Sequence, residues 1–261
     1  YSNFTPKIIN MPANKNAVIR YKFLDDLLSD RLHYYSMEEL TEKVNRKMYT
    51  LLLGMIYLAF ISLGLPDSLL GSAWPTIRMD FDVPLSYMGL VSLIIAGGTI
   101  IYGLMSERLT RRFSAKVVTT VSVLITAIAL YDFSIATDFY QLCLWGIPYG
   151  LGAGAIDAAL NNYVALYYNS RHMSWLHCFW GVGTIISPYI MSYALTHTVW
   201  TDGYRMTSCI QFGILVVLIL GLPLWKVNKA AEVAEKNEKV LGIKGALKIK
   251  GVPYLLTAFC A

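Results

Sequence analysis

Long apolar segments alternate with short polar ones along most of the chain after residue 47. Each of the first six has about 20 residues or more, the length at which an α-helix crosses the hydrocarbon core of a bilayer. A seventh apolar segment begins at Val252 and is still open at Ala261. We therefore predict an all-α membrane protein with six transmembrane helices and the start of helix seven. The six predicted spans are 48–74, 85–105, 116–135, 139–167, 173–196 and 203–225.

The first 47 residues follow a different pattern. Ser36 and Glu39 form a capping-box sequence, which predicts the start of a helix with Leu40 and Val44 on one face. An earlier stripe of apolar residues at helical spacing predicts another helix before it. We expect two short amphipathic helices in a polar, soluble segment. The earlier stripe comprises Ile19, Phe23, Leu24, Leu27 and Leu28.

The letters of residues 11–45, MPANKNAVIRYKFLDDLLSDRLHYYSMEELTEKVN, resemble the N-terminus of WYL-domain transcriptional regulators, at the opening of their helix-turn-helix region. The part of that region that would read DNA is missing, because predicted span one begins where it should follow. We therefore expect no binding of nucleic acid. We also expect residues 1–47 to be foreign to the membrane part, from a gene fusion or an assembly artefact, with Met48 as the candidate natural start.

Composition and charge agree with a membrane protein and predict its orientation. Hydrophobic residues make up 56% of the chain and charged residues only 15%, against about a quarter in an ordinary soluble domain. Of the 22 lysines and arginines, all but Arg78 and Arg205 lie before span one, after span six, or in the loops after spans two and four. This positive-inside asymmetry predicts a multi-pass membrane protein with a cytoplasmic N-terminus. We expect the membrane to be a bacterial plasma membrane.

The remaining segments complete the predicted domain organisation. Residues 226–251 mix glutamate and lysine and are typical of a cytoplasmic linker with a surface helix, while 252–261 form the truncated start of helix seven. The 48–225 bundle contains no nucleophile–base pair, phosphate-binding glycine loop or metal-ligand cluster. The four scattered cysteines indicate neither a disulfide framework nor a zinc site. We predict no enzyme activity, no cofactor and no metal.

Two carboxylates lie inside predicted spans, where a charged side chain costs roughly 2.5–3.5 kcal/mol on insertion scales. Asp67 follows Pro66 in span one, and Asp157 in span four is followed by Asn161 and Asn162. Spans one and four are the first members of two successive three-helix units, so two repeated units facing one cavity would place both acids in it. The alternative, in which each aspartate only hydrogen-bonds a neighbouring helix, stays open.

Other residues in these spans suit a polar cavity. Pro66 lacks a backbone donor and can open the helix beside Asp67. Gly150 and Gly154 share a face with the acid of span four and allow close approach of another helix. In span five, His177 can contact a ligand, although a hydrogen bond to another helix is an equal alternative. Trp180 can stack on the apolar face of a sugar, although packing or an interfacial role is the commoner use.

The loop between spans two and three reads GLMSERLTRRF (103–113) and resembles the signature cytoplasmic loop of the major facilitator superfamily. In that loop a glycine is followed by an acid–arginine pair and then by a basic pair. The resemblance implies a six-helix N-terminal bundle of 3+3 inverted repeats, with this loop as a gating latch that does not bind substrate. Here glutamate replaces the usual aspartate, and Thr110 replaces the second glycine. The matching positions are Gly103, Glu107, Arg108, Arg111 and Arg112.

Three further segments look like the fucose permease-like branch of that superfamily, the sugar:proton symporters. They are GLPDSLLGSAWP (64–75), GLGAGAIDAALNNYV (150–164) and SWLHCFWGVGTIISP (174–188). The resemblance implies substrate and proton handling by Asp67 and Asp157, with Asn161 beside them. The fucose permease itself has glutamate at the second acid position. An arginine common in helix four elsewhere in the superfamily would fall near Gly146 and is absent.

These observations lead to one expected function and its alternatives. We expect a secondary active transporter that moves a small polar solute, a sugar on this resemblance, with protons by alternating access. Its partners would be the solute, protons, the lipid bilayer and a missing C-terminal six-helix half, without which we expect the chain to be inactive. Alternatives are a carrier of another small solute, a uniporter, or a membrane-bound sensor. The candidate site residues are Asp67, Asp157, Asn161, Asn162, His177 and Trp180.

Overall fold

The computed structural model describes residues 15–29 and 35–225, except for the side chains of residues 15–18, 107, 108 and 111. These residues form helices and short turns, with no strand among them. The predicted linker 226–251 and the start of helix seven lie outside the described residues. The helices are α1 (Lys15–Leu28), α2 (Met37–Gly64), α3 (Leu69–Asp80), α4 (Tyr87–Ser134), α5 (Phe139–Tyr167), α6 (Ser170–His197) and α7 (Trp200–Gly221), followed by a 3-10 turn (Leu222–Leu224).

Five described segments are long and apolar enough to cross a membrane, judged by length and composition. The predicted fourth span, α5, has the predicted bounds but is not among the five. Its 29 residues suffice in length, and its aspartate, two asparagines and four glycines reduce its hydropathy. The all-α, multi-pass architecture is therefore confirmed. The five segments are Met37–Asp80, Tyr87–Ser106, Arg112–Ser134, Ser170–His197 and Trp200–Leu224.

The second of the two helices predicted before residue 48 is not short. The capping box is present, since Ser36 Oγ accepts from the backbone N–H of Glu39 at 3.2 Å and the Glu39 carboxylate accepts from that of Ser36 at 2.9 Å. The helix then continues to Gly64, because no proline interrupts it and its apolar face stays buried through Val44 and Met48. The predicted short helix is thus the first part of span one.

Helix α1 packs against the bundle and does not stand apart as a soluble element. Four residues of its predicted stripe are partly buried against the main apolar core. Leu28, the fifth, is 67% exposed and faces away, which corrects its assignment to the stripe. Arg20 donates to Asn45 at 3.3 Å and contacts the sulfur of Met48. A foreign origin of residues 1–47 stays a prediction. The four packed residues are Ile19, Phe23, Leu24 and Leu27.

The spans pack in the pattern expected of two inverted three-helix repeats. Span one (α2) packs on span five (α6), and span two (the first half of α4) packs on span four (α5). Each pairing maps onto the other when spans one and four, and spans two and five, are exchanged. Buried Gln211 on α7 donates to Ser62 O at 2.6 Å and accepts from Thr126 at 3.1 Å. Span six is thereby fixed to spans one and three.

Ser114 interrupts α4 between the predicted second and third spans, 85–105 and 116–135. Its backbone has φ 59° and ψ 150°, a conformation that is costly for any residue except glycine. We expect Ser114→Gly to stabilise the folded bundle by about 1 kcal/mol, because glycine adopts this conformation without strain. Thermal unfolding of the chain in detergent, followed by circular dichroism, measures the change. Ser106→Gly, at a regular helical position, should instead destabilise by about 0.5–1 kcal/mol, and equal shifts would contradict the explanation.

Candidate functional site

A cavity of about 330 Å³ lies among four of the spans. Its lining comes from span one, the middle of span two, span four and span five, so both three-helix units contribute. The structure brings together four of the predicted site residues, separated by up to 113 positions in sequence. Asn161 is half-buried and contacts Asp157 without lining the cavity itself, and Asn162, one position further along α5, is exposed and does not line the cavity. The lining residues are Phe60, Leu63, Asp67, Thr99, Ala153, Asp157, His177 and Trp180.

Asp67 lies in a break within span one. Helix α2 ends at Gly64 and α3 begins at Leu69, and Pro66 lies in the turn between them, as predicted. The Asp67 carboxylate accepts a hydrogen bond from Trp180 Nε1 at 2.9 Å and a longer one from the Tyr149 hydroxyl at 3.4 Å. Spans one, four and five therefore meet at this one side chain.

Two glycines bring Trp180 to Asp67. A methyl group on Gly183 would collide with the carbonyl oxygen of Ile61, and one on Gly64 would collide with that of Trp180. The backbones of α2 and α6 thus touch at this crossing, which only glycine permits. Sequence reasoning missed this pair of glycines. The spacing of small residues in GVG (181–183) was the available signal.

Asp157 has a different environment. Asn161, one turn further along α5, donates its side-chain amide to Asp157 Oδ1 at 2.9 Å. His177 of span five is close enough to interact with the carboxylate electrostatically. The predicted close approach is confirmed, because a methyl group on Gly150 or Gly154 would collide with the backbone of span two.

Sequence reasoning also missed Tyr149 and Thr99. Tyr149 lies eight residues before Asp157, two turns away on the same side of α5, so a helical projection could have placed it beside the cavity. Thr99 is a polar residue within an apolar span, and its hydroxyl lies within hydrogen-bond distance of Ile95 O on its own helix (3.1 Å) and of Gly150 O on span four (3.2 Å). It therefore links spans two and four at the cavity wall.

The charge of the lining limits what the cavity can bind. It carries two carboxylates and one imidazole, and no lysine or arginine is among its lining residues. Ionised carboxylates accept hydrogen bonds and donate none, so they suit hydroxyl groups, water or a cation. Phe60 and Trp180 add aromatic surface beside them. The described residues contain no group of three or more His, Cys, Asp or Glu side chains that could hold a metal ion.

The predicted gating loop is described only in part. Gly103 lies in the helix of span two, and a Cβ at this position would meet no atom within 4 Å. Arg112 is exposed near the start of span three. The side chains of Glu107, Arg108 and Arg111 lie outside the described residues. A latch formed by these charges therefore stays a prediction.

Comparison with known proteins identifies a family and a relative. A family model described as Major Facilitator Superfamily matches residues 56–261. The chain is also 23% identical over 164 residues to the 4-hydroxybenzoate transporter PcaK of Acinetobacter baylyi (strain ATCC 33305 / BD413 / ADP1). That alignment covers 61% of this chain and 36% of the relative, so the chain matches about a third of the relative's length.

Proposed function

The chain belongs to the Major Facilitator Superfamily, and from that premise we propose that it acts in proton-driven transport of a small polar solute by alternating access. The observation that carries the proposal is the cavity with two carboxylates, one from each three-helix unit, between helices that cross a membrane. We place it in a bacterial plasma membrane with its N-terminus in the cytoplasm. The other wall of the cavity would come from a second six-helix half.

We assign the transported proton to Asp157. Asp67 accepts from two donors on other spans, which hold its carboxylate in one position. Within the described residues Asp157 accepts a hydrogen bond from Asn161, and its remaining oxygen can meet solvent, cargo or a proton. Binding a proton removes the negative charge of Asp157. A neutral side chain lowers the free energy of the carrier state in which the cavity contains less water. Proton binding and reorientation are coupled because the two states then differ in proton affinity.

A neutral, hydroxyl-rich solute fits the described wall best. Sugar hydroxyls can donate to carboxylate oxygens, while the ring of Trp180 offers an apolar face for stacking. A second candidate is an aromatic acid, since the relative's name specifies 4-hydroxybenzoate and Phe60 and Trp180 line the cavity. That solute is an anion, and two aspartates without a lysine or arginine in this wall would repel it. We therefore favour the sugar.

Asp157→Asn tests the proton assignment. In cells that express this chain together with the proposed second six-helix half, we expect the substitution to reduce proton-driven accumulation of the transported sugar more than tenfold. Exchange of labelled for unlabelled solute should persist, because the amide still hydrogen-bonds the cargo but cannot release a proton. The measurement is uptake of radiolabelled sugars and of 4-hydroxybenzoate between pH 5.5 and 8.

The matched control is Asp82→Asn. Asp82 is exposed in the turn after α3, outside the cavity, and asparagine tolerates its φ of 50°. This variant should transport like the unmodified protein. Undiminished, pH-dependent accumulation by Asp157→Asn would show that the proton assignment is wrong. Uptake of 4-hydroxybenzoate in preference to every sugar would favour the second candidate.

A further inference from the structure

A second cavity of about 340 Å³ opens on the side of the bundle, between spans two, three and four. It shares no lining residue with the cavity that contains Asp67 and Asp157. Its wall is almost wholly apolar, and Val121 of span three is 48% exposed along it. An apolar groove on the outer side of a membrane-spanning bundle is in contact with lipid acyl chains. We call this cavity the lateral groove.

One polar group in the lateral groove lacks a partner. The Tyr102 side chain is only 8% exposed, and its hydroxyl is buried without a hydrogen-bond partner among the described residues. Leaving such a hydroxyl unpaired costs about 1–3 kcal/mol, so an occupant that accepts a hydrogen bond there gains affinity. A purely hydrocarbon occupant would leave the group unpaired. The occupant therefore has an acceptor next to its apolar part.

The depth of Tyr102 matches the ester region of a lipid. The span ends at Ser106, four residues later, which is roughly 6 Å along a helix axis. Tyrosine is enriched at this level of a bilayer because its ring is apolar and its hydroxyl polar. The ester carbonyls that join acyl chains to glycerol accept hydrogen bonds and lie between the hydrocarbon and the headgroups.

Positive charge lies at the same end of the lateral groove. The guanidinium carbon of Arg112 is 5.5 Å from the ring centre of Phe113, which is part of the groove wall. Lys116 immediately precedes Val117, another wall residue. Basic side chains beside a membrane span attract anionic headgroups. The end at which Tyr102 needs an acceptor is thus also the end that attracts a phosphate.

We propose that the lateral groove is a binding site for an anionic phospholipid. One acyl chain lies along spans three and four, an ester carbonyl accepts from the Tyr102 hydroxyl, and Arg112 and Lys116 hold the headgroup phosphate. The site is separate from the transport cavity, so the proposal does not depend on the identity of the cargo.

Native mass spectrometry of the whole chain, titrated in detergent with phosphatidylglycerol or phosphatidylcholine, tests this site. We expect phosphatidylglycerol to bind at least fivefold more tightly than phosphatidylcholine. Tyr102→Phe should weaken phosphatidylglycerol binding about fivefold, the effect of one lost hydrogen bond, while keeping the ring that fills the wall. Arg112→Ala should reduce the preference for phosphatidylglycerol by a similar factor.

Two controls separate this site from general lipid contact. Tyr140→Phe removes a hydroxyl from a tyrosine that is 80% exposed near the other end of the bundle, and it should leave binding unchanged. Val121→Trp fills the groove and should weaken binding, whereas Leu144→Trp, on an exposed part of α5, should not. Equal binding of the two lipids, or equal binding by the unmodified chain and both groove variants, Tyr102→Phe and Val121→Trp, overturns the proposal.

Discussion

We expect Gly183→Leu to destabilise the bundle by about 3 kcal/mol and to lower its unfolding temperature markedly. A Cβ at this position would collide with the carbonyl oxygen of Ile61 and lie 2.9 Å from the backbone nitrogen of Leu65. Both are main-chain atoms of span one and cannot move aside as the end of a side chain can. Spans one and five must separate to accommodate the leucine. Thermal unfolding in detergent, followed by tryptophan fluorescence, measures the loss.

Gly181→Leu is the matched control because it adds the same side chain two residues earlier on the same helix. A Cβ at Gly181 meets nothing within 4 Å. In this variant only the helix propensity changes, and leucine has a higher helix propensity than glycine. The variant should therefore unfold at or above the original temperature. Equal loss of stability in the two variants would mean that the crossing of α2 and α6 does not limit the fold.

The helices and the break in span one could be predicted because they depend on local sequence. A run of about 20 apolar residues specifies a span without reference to any other part of the chain. Pro66 predicts a break for the same local reason, and the structure has the turn there. The error in α2 has a local cause as well. The change from polar to apolar residues near Met48 suggests that a helix ends there, although no proline interrupts α2 at this point.

The partners of the two aspartates in the cavity could not be predicted in the same way. Which donor reaches Asp67 depends on where α6 crosses α2, and that crossing is set by glycines on two helices far apart in sequence. Sequence spacing did place Asn161 beside Asp157, since both lie one turn apart on α5. It could not exclude Asn162, because the width of the cavity opening is a property of the packed bundle.

The two aspartates therefore have different surroundings despite equivalent positions in the repeats. Asp67 is held by donors from spans four and five, and it fixes those spans to the break in span one. Within the part of the chain that the structure describes, Asp157 accepts a hydrogen bond from Asn161 of its own helix, and it lines the cavity together with His177. An acid that joins three spans is suited to a positioning role. An acid with a free oxygen at the cavity is suited to exchange a proton.

This division predicts a large effect for Trp180→Phe. The change keeps an aromatic ring for stacking but removes the Nε1–H group that donates to Asp67 at 2.9 Å. A hydrogen bond to a charged group contributes about 1.5–3 kcal/mol, so we expect uptake at low solute concentration to fall about 10- to 100-fold. Rates and apparent KM for sugar uptake measure the effect. Trp175→Phe, on the same helix, 51% exposed and outside the cavity lining, is the control.

A double variant distinguishes positioning by Trp180 from stacking alone. If the indole acts through Asp67, then Trp180→Phe combined with Asp67→Ala should transport little worse than Asp67→Ala alone, because alanine has no oxygen to accept from the indole and the interaction is already lost. If the indole serves only as a stacking surface, phenylalanine should retain most of the uptake and any losses should add. Additive losses would therefore contradict the positioning role, and the contact between Trp180 and Asp67 would then serve only to stabilise the crossing of α2 and α6.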